Sequence, residues 1–450
     1  MSTTYKECTL KEIQSPDGYG SVDGPFGSNL PASSYTEKGT PVIRGVNLSL
    51  GKERFKDFNY VYVGEETAIR LNRSSCQPGD IVFTKKGTLG STGLVPANGK
   101  YKKFILSSNQ MRLRLNLKLA DPLYVYYFVS SPYSQKRILA DAMTAGVPKI
   151  NLGYLRNFKI LLPEPRIQRK ISAILSAYDD LIENNKRRIA LLENIAEEIY
   201  LEWFVRFRFP GYQTAEFEKG IPKGWGLKTF RELISYYIGG GWGEENESPN
   251  FTEGAFVIRG TDISALSNGD YSNRVFRYHK PSNLKSRKLE KNDFIFEVSG
   301  GSKDQLLGRN IMVTEGLLSL FDNKVMCASF CKQMRFNPEI VSPFFMKYYM
   351  KLYYDCDLVG IYQVQSTGIS NYQFESFLNY QTIAIPPSDI MKQFEAMVEP
   401  LIQQQEVLAF KNLNLKQAKE SLLPRLISGK LSVEDLDIQF PSSMQEENAA

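Results

Sequence analysis

The chain has a single histidine, His279, and five cysteines in 450 residues. One imidazole leaves a triad or other histidine acid–base chemistry a single candidate, within Tyr278-His279-Lys280-Pro281. Cys8, Cys76, Cys327, Cys331 and Cys356 are odd in number and irregularly spaced, which argues against a disulfide framework. Cys327 and Cys331 form a lone CxxxC, whereas a tetrahedral zinc site needs four ligands. Buried thiols are therefore expected there, and no metal site. No run approaches the roughly 18 uninterrupted apolar residues of a membrane span. The first residues, Met1 to Gln14, lack the apolar centre of a secretory signal. The expectation is a cytoplasmic protein with no membrane partner.

Catalytic constellations are also missing. No GxxxxGK[ST] phosphate loop occurs, and no GxGxxG opens a helix after a strand. The strings nearest to an amino-methyltransferase (N/D/S)PP(Y/F) motif are Ile385-Pro386-Pro387-Ser388 and Ser131-Pro132-Tyr133, each better read as the start of a helix. The pairs Asp179-Asp180 and Glu197-Glu198 are read as the solvated face of a helix rather than as a metal-dependent nuclease centre. No catalytic residue is expected.

The sequence does contain a copy of itself. Val42-Ile43-Arg44-Gly45-Val46-Asn47-Leu48 matches Val257-Ile258-Arg259-Gly260-Thr261-Asp262-Ile263 at an offset of 215. Gly24-Pro25-Phe26-Gly27 matches Gly240-Gly241-Trp242-Gly243 at 216. Leu113-Arg114-Leu115-Asn116 matches Met334-Arg335-Phe336-Asn337 at 221, and Lys159–Pro163 matches Thr382–Pro386 at 223. Four matches in one order, with slowly drifting offsets, mean a duplicated domain with loop insertions. Each copy reads as mixed α/β. Strand-like runs at Asp80–Thr84 and Asp293–Glu297 lead into loops of Gly, Ser and Lys, and aromatic helical stretches follow at Tyr124–Phe128 and Phe344–Tyr349.

A helix-period segment closes each copy. From about Arg166 to Phe207 there is no Gly or Pro, and Ile171, Tyr178, Asn185, Leu192 and Ile199 recur every seven residues. Leu175, Ile182, Ile189, Ala196 and Trp203 follow four residues behind, which completes an a/d seam. The second copy repeats the seam at Phe394, Leu401, Leu408, Leu415 and Leu422. Its d line, Val398, Gln405, Asn412, Lys419 and Leu426, is more polar. Helices of about 40 residues must pack on something. Equal lengths and matching seams favour pairing with each other over packing on their own domains. Asn185, Gln405 and Asn412 are expected near the middle of an antiparallel pair.

The fold expected is α+β: two pseudo-symmetric α/β domains joined by two long antiparallel coiled-coil helices. Its parts are residues 1–163, a helix at 164–211, a second domain at 212–385, a second helix at 386–433 and a frayed polar tail at 434–450.

Several strings resemble the type I restriction–modification specificity subunits. They are Asp23-Gly24-Pro25-Phe26-Gly27-Ser28, the helix ending Leu201-Glu202-Trp203-Phe204-Val205-Arg206-Phe207, Ile221-Pro222-Lys223-Gly224-Trp225, and Leu422-Leu423-Pro424-Arg425-Leu426-Ile427-Ser428-Gly429-Lys430-Leu431. In order, they resemble the opening turn of a first target-recognition domain, a central spacer, the start of a second recognition domain and the end of a C-terminal spacer. The resemblance implies a non-catalytic chain that reads a bipartite sequence in double-stranded DNA, its spacer helices holding the two recognition domains apart. Two methyltransferase subunits and two translocase–nuclease (restriction) subunits would be its partners. S-adenosylmethionine, ATP and Mg²⁺ would belong to those partners, with no cofactor on this chain. The net charge of +6 suits a polyanion without requiring one. Candidate DNA contacts are Arg44, Lys85, Lys86, Thr88 and Ser91 in the first domain, and Arg259, Ser299, Ser302, Lys303 and Arg309 in the second. Two other classes stay open here: a coiled-coil scaffold without DNA specificity, and a recognition chain with a cryptic nuclease or methyltransferase activity.

Overall fold

The computed structural model describes residues 5–17, 19–142, 148–300, 305–365, 368–441 and 444. They form two compact units, one of residues 1–181 with 415–450, the other of residues 182–414. The division falls inside the two long helices rather than at their ends, because each helix packs its two halves into different cores.

Among the described residues, the first unit has a four-stranded sheet in the order Ser21–Asp23, Gln110–Leu113, Ile81–Thr84, Thr92–Leu94. A second sheet centres on Thr40–Ile43, antiparallel to Val61–Val63 and parallel to Phe104–Leu106. Lys6–Thr9 pairs with Lys159–Leu162 and so brings the ends of the domain together. The second unit repeats this plan. Its four-stranded sheet runs Ile234–Gly239, Cys331–Phe336, Phe294–Glu297, Asn310–Met312. Glu253–Ile258 lies antiparallel to Val275–His279 and parallel to Val325–Cys327. Gly226–Thr229 pairs with Thr382–Ile385. The aromatic stretches are helices, Pro122–Val129 and Pro343–Asp355, capped by the side chains of Asp121 and Ser342.

The two helix-starting prolines behave as read: Pro132 opens the helix Pro132–Ala142, and Pro386-Pro387 precede the helix Ser388–Ile427. Cys327 and Cys331 are buried, and burial pushes the Cys327 thiol up to about 12. His279 ends its strand, buried, with no partner for its Nε2 among the described residues and its ring packed under Gly243. Burial lowers its pKa, so it is a neutral core side chain. No helix among the described residues is long and apolar enough to cross a membrane.

The first long helix is Pro165–Tyr200, followed by one π turn, Leu201–Val205; the second is Ser388–Ile427. In the first unit Ile171 and Leu175 are buried and Tyr178 half-buried, while Leu415 and Leu422 are half-buried. In the second unit Ile182, Asn185, Ile189, Phe394 and Leu408 are buried, with Leu192, Ile199 and Leu401 half-buried. Towards its end the buried line of the first helix moves from Ile199 and Trp203 to Tyr200 and Phe204. A straight helix drifts by about 20° per heptad relative to a strict seven-residue repeat, and here the drift brings the next column inward.

Polar seam residues are paired. In the second unit Asn185 Nδ2 donates to Asn412 Oδ1 at 2.9 Å, and Gln405 Nε2 donates to Glu193 at 3.1 Å. In the first, Lys419 Nζ donates to Asp179 at 2.6 Å. As the number on one helix rises, its partner's falls, so the pairing is antiparallel. The helices also pack on the globular parts, so pairing and domain packing coexist.

Two expectations need correction. Asp179 and Asp180 are not a solvated face. Tyr127 Oη donates to Asp179 at 2.7 Å, and the Arg54 guanidinium bonds Asp180. Glu197 likewise meets Lys351 at 2.5 Å. These acids dock the helix onto its neighbours. The tail, as far as it is described, is not frayed either. Lys170 Nζ, buried, donates to the carbonyls of Val433, Glu434 and Leu436 at 3.3, 2.7 and 2.7 Å. Val433 and Met444 are buried in the first unit's core, with Ile438 and Phe440 packed against it.

Candidate nucleic-acid interface

Each loop cluster is built on an ion pair whose carboxylate is buried. In the first unit Arg114 forks onto Asp80, Nε to Oδ1 and Nη2 to Oδ2, both at 2.8 Å. In the second, Arg335 forks onto Asp293 at 2.6 and 2.9 Å. Each aspartate also accepts the backbone N–H three residues before it, from Gln77 at 2.8 Å and Glu290 at 2.7 Å. Bidentate pairing fixes strand direction as well as energy. The glycine that opens each cluster is required by close approach. A Cβ on Gly24 would lie 1.9 Å from Ser107 O, and one on Gly240 would lie 2.2 Å from Ala328 O.

Three backbone bonds then gather the loops. In the first unit Gly24 N–H donates to Gln110 O, Lys85 N–H to Asn109 O, and Ser107 N–H to Ile43 O, at 2.9, 2.7 and 3.0 Å. In the second, Gly240 donates to Cys331, Val298 to Phe330, and Ala328 to Ile258, at 2.9, 2.9 and 2.8 Å. The glycine-rich turn, the loop after the central strand, and the Arg44 or Arg259 corner therefore meet at one end of each domain.

The candidate residues distribute unevenly over that end. Lys85 is half-exposed and pairs with Asp23 at 3.2 Å; Lys86 and Thr88 are exposed. Ser91 is only 4% exposed, which takes it off the surface. Arg309 is its structural counterpart, because Thr84 N–H bonds Ser91 O as Glu297 N–H bonds Arg309 O. The Arg309 guanidinium spans Glu297 at 2.8 and 2.5 Å, an internal pair. Both lie on the returning strand side of the hairpin rather than at its tip, which is why they face inward. Arg44 and Arg259 stand in matching corners: their N–H groups donate to Asn47 at 2.9 Å and Asp262 at 3.0 Å. The Arg44 side chain reaches Asn59 O at 3.1 Å, while that of Arg259 forks onto Asp262 at 2.9 and 2.7 Å. Ser299 is half-buried and donates to Asn371 at 3.0 Å. Ser302 and Lys303 lie outside the described residues.

Sequence reasoning missed two cations at the first cluster. Lys149 forms a β-bridge with Lys86, and the Arg70 guanidinium bonds Asn29 O at 3.2 Å. Both come from distant segments without a repeated motif, so no local signal marks them.

This duplicated frame gathers one cluster of loops at one end of each domain. Residues 31–194 match the type I restriction modification DNA specificity domain. The chain is 25% identical over 404 residues to the type I restriction enzyme MjaIX specificity subunit of Methanocaldococcus jannaschii, spanning 84% of this chain and 85% of that protein. It is 23% identical over 415 residues to the putative type I restriction enzyme MjaX specificity subunit of the same organism, spanning 90% and 91%. The crystal structure of a type I restriction–modification S subunit from M. genitalium has the same fold, with a TM-score of 0.51 at 13% identity, covering 94% of this chain and 96% of that one. Over most of its length the chain is thus similar to type I restriction–modification specificity subunits, and residues 31–194 match their DNA specificity domain.

Proposed function

We propose that each domain reads one half of a bipartite DNA sequence, and that the chain positions methyltransferase and restriction subunits on it without catalysing a reaction itself. One observation carries this reading. The two domains share a frame down to matching hydrogen bonds, yet the loops set on it differ: Lys85-Lys86-Gly87 in one stands where Val298-Ser299-Gly300 does in the other. A common scaffold with different exposed side chains is what two different half-sequences require. Lys85, Lys86 and Thr88 in the first domain, and Ser299, Ser302 and Lys303 in the second, are the proposed contacts. Lysines would hold phosphates, and loop side chains would read base edges in the major groove.

Partners in this reading are two methyltransferase and two restriction subunits, which would bring S-adenosylmethionine, ATP and Mg²⁺. Leu191 and Ile195, exposed on the first long helix away from its seam, offer such a partner an apolar strip. Replacing residues 1–160 with the equivalent domain of a relative tests the modular part. Mapping of methylated sites should then show one half-site changed and the other kept. Both halves changing together would refute it.

A further inference from the structure

The most exposed large apolar side chain in the described structure is Phe26, 81% accessible at the tip of the first domain's glycine turn. Burying such a ring is worth about 2 kcal/mol in a folded protein, so its exposure asks for an explanation. The turn beneath it is anchored at both ends. Gly24 and Pro25 before it and Leu30 after it are buried, and Asn29 N–H closes back onto Phe26 O at 2.8 Å. Asp23, one residue before Gly24, holds Lys85. Arg70 is bonded to Asn29 O at 3.2 Å, and Lys86 and Lys149 are paired by an isolated β-bridge. A cation is thus held at each end of the turn that carries the ring.

We propose that Phe26 inserts at a base step of the first half-site and partly unstacks it, while the flanking cations grip the phosphates on either side. The assignment rests on the DNA-reading function proposed above. A phenyl ring has no hydrogen-bonding group with which to read a base edge. Its ways of contributing to a duplex are contact with a thymine methyl or wedging between bases. The projection of the ring from a turn anchored at both ends favours the wedge, because a surface contact with a methyl group needs no such reach. The second domain has the same turn but not the same tip. Trp242 is 39% exposed, and Arg277 lies over its ring at 4.8 Å while bonding Glu245 at 2.9 Å. The wedge therefore belongs to one half-site.

Duplexes selected from a random library by the full-length chain supply the probe, with 2-aminopurine then placed at each position of the first half-site. The wild type is expected to raise the fluorescence at one step. F26A should abolish that rise and weaken binding about tenfold, as loss of one aromatic stack does. F26W should keep both, and W242A should leave the signal intact. An unchanged rise in F26A overturns the proposal. So does a wild-type loss of similar size when thymines of that half-site are replaced by deoxyuridine, which would mark a methyl contact. Should the wild type select no two-part sequence at all, the DNA-reading function itself fails, which is a different result. Phe26 contributes nothing to a core, so the melting temperature of F26A should match that of the wild type and exclude misfolding.

Discussion

In the first unit Arg114 forks onto a buried Asp80 and Gly24 presses on Ser107; in the second, Arg335 forks onto Asp293 and Gly240 presses on Ala328. Beneath the loops the copies are superimposable in their bonding. Above them they part: one hairpin carries Thr84 and Ser91 where the other carries the Glu297–Arg309 pair, and one turn bears a bare Phe26 where the other bears Trp242 under Arg277. The helix junctions part too. Asp179 takes Tyr127 and Lys419 in the first unit, and Glu193 takes Lys347 and Gln405 in the second. Duplication has preserved what fixes strand direction and left free what faces outward or docks a helix.

The shared frame is where substitution should cost most. Asp80→Ala and Asp293→Ala each remove a buried carboxylate that accepts a bidentate arginine and a backbone N–H, a loss of about 3 kcal/mol. Hydrogen exchange on each variant should show that loss confined to its own unit. Equal loosening of both units would break the comparison. Next come Gly24→Ala and Gly240→Ala, expected to cost about 2 kcal/mol each because a Cβ must displace a backbone carbonyl. Matching losses in denaturant melts would confirm that the two turns are one device; a large loss at only one would separate them.

The helix seam sharpens the contrast. Asn185→Leu alone leaves Asn412 buried with half its bonding gone, a cost of about 2 kcal/mol. Adding Asn412→Leu should restore the wild-type stability or exceed it, since a buried polar pair replaced by apolar groups is often neutral or stabilising. A double variant weaker than the single one would contradict this.

The smallest effect concerns pH. Burial pushes the Glu193 carboxyl up, but the Lys347 ammonium and hydrogen bonds from Lys347 and Gln405 outweigh it, so the net shift is downward. A depressed carboxyl stabilises the fold above its unfolded value, about 4.3, and loses that contribution as pH falls through the folded value. Glu193→Gln should therefore flatten the acid limb of the stability curve of the second unit and leave that of the first unchanged. An unaltered acid limb would show that Glu193 contributes little.

The duplication was legible because the matched strings sit at positions the backbone cannot vary: Gly24 and Gly240 at close approaches, Arg114 and Arg335 on buried acids. The helix seam was legible through its period, including the paired amides. The inward turn of Ser91 and Arg309 was not, because a serine and an arginine after a strand look alike whether they lie at a hairpin tip or on its returning arm. Asp179 and Glu197 looked like solvent-facing acids because their partners, Arg54, Tyr127 and Lys351, come from elsewhere in the chain. The docking of the tail left no pattern either, since Lys170 grips three carbonyls and carbonyls carry no residue identity.

That lysine has a consequence for the order of events during synthesis. The second unit is one continuous stretch, residues 182–414, whereas the first is assembled from residues 1–181 and 415–450. A ribosome synthesises the whole of the second unit before it makes the segment that Lys170 clasps. Translation at about 5–20 residues per second puts seconds between the two completions. The domain written first is thus the one finished last, and a chain arrested before residue 415 holds a complete second unit beside a first one whose core still lacks Leu423, Leu426, Ile427 and Val433.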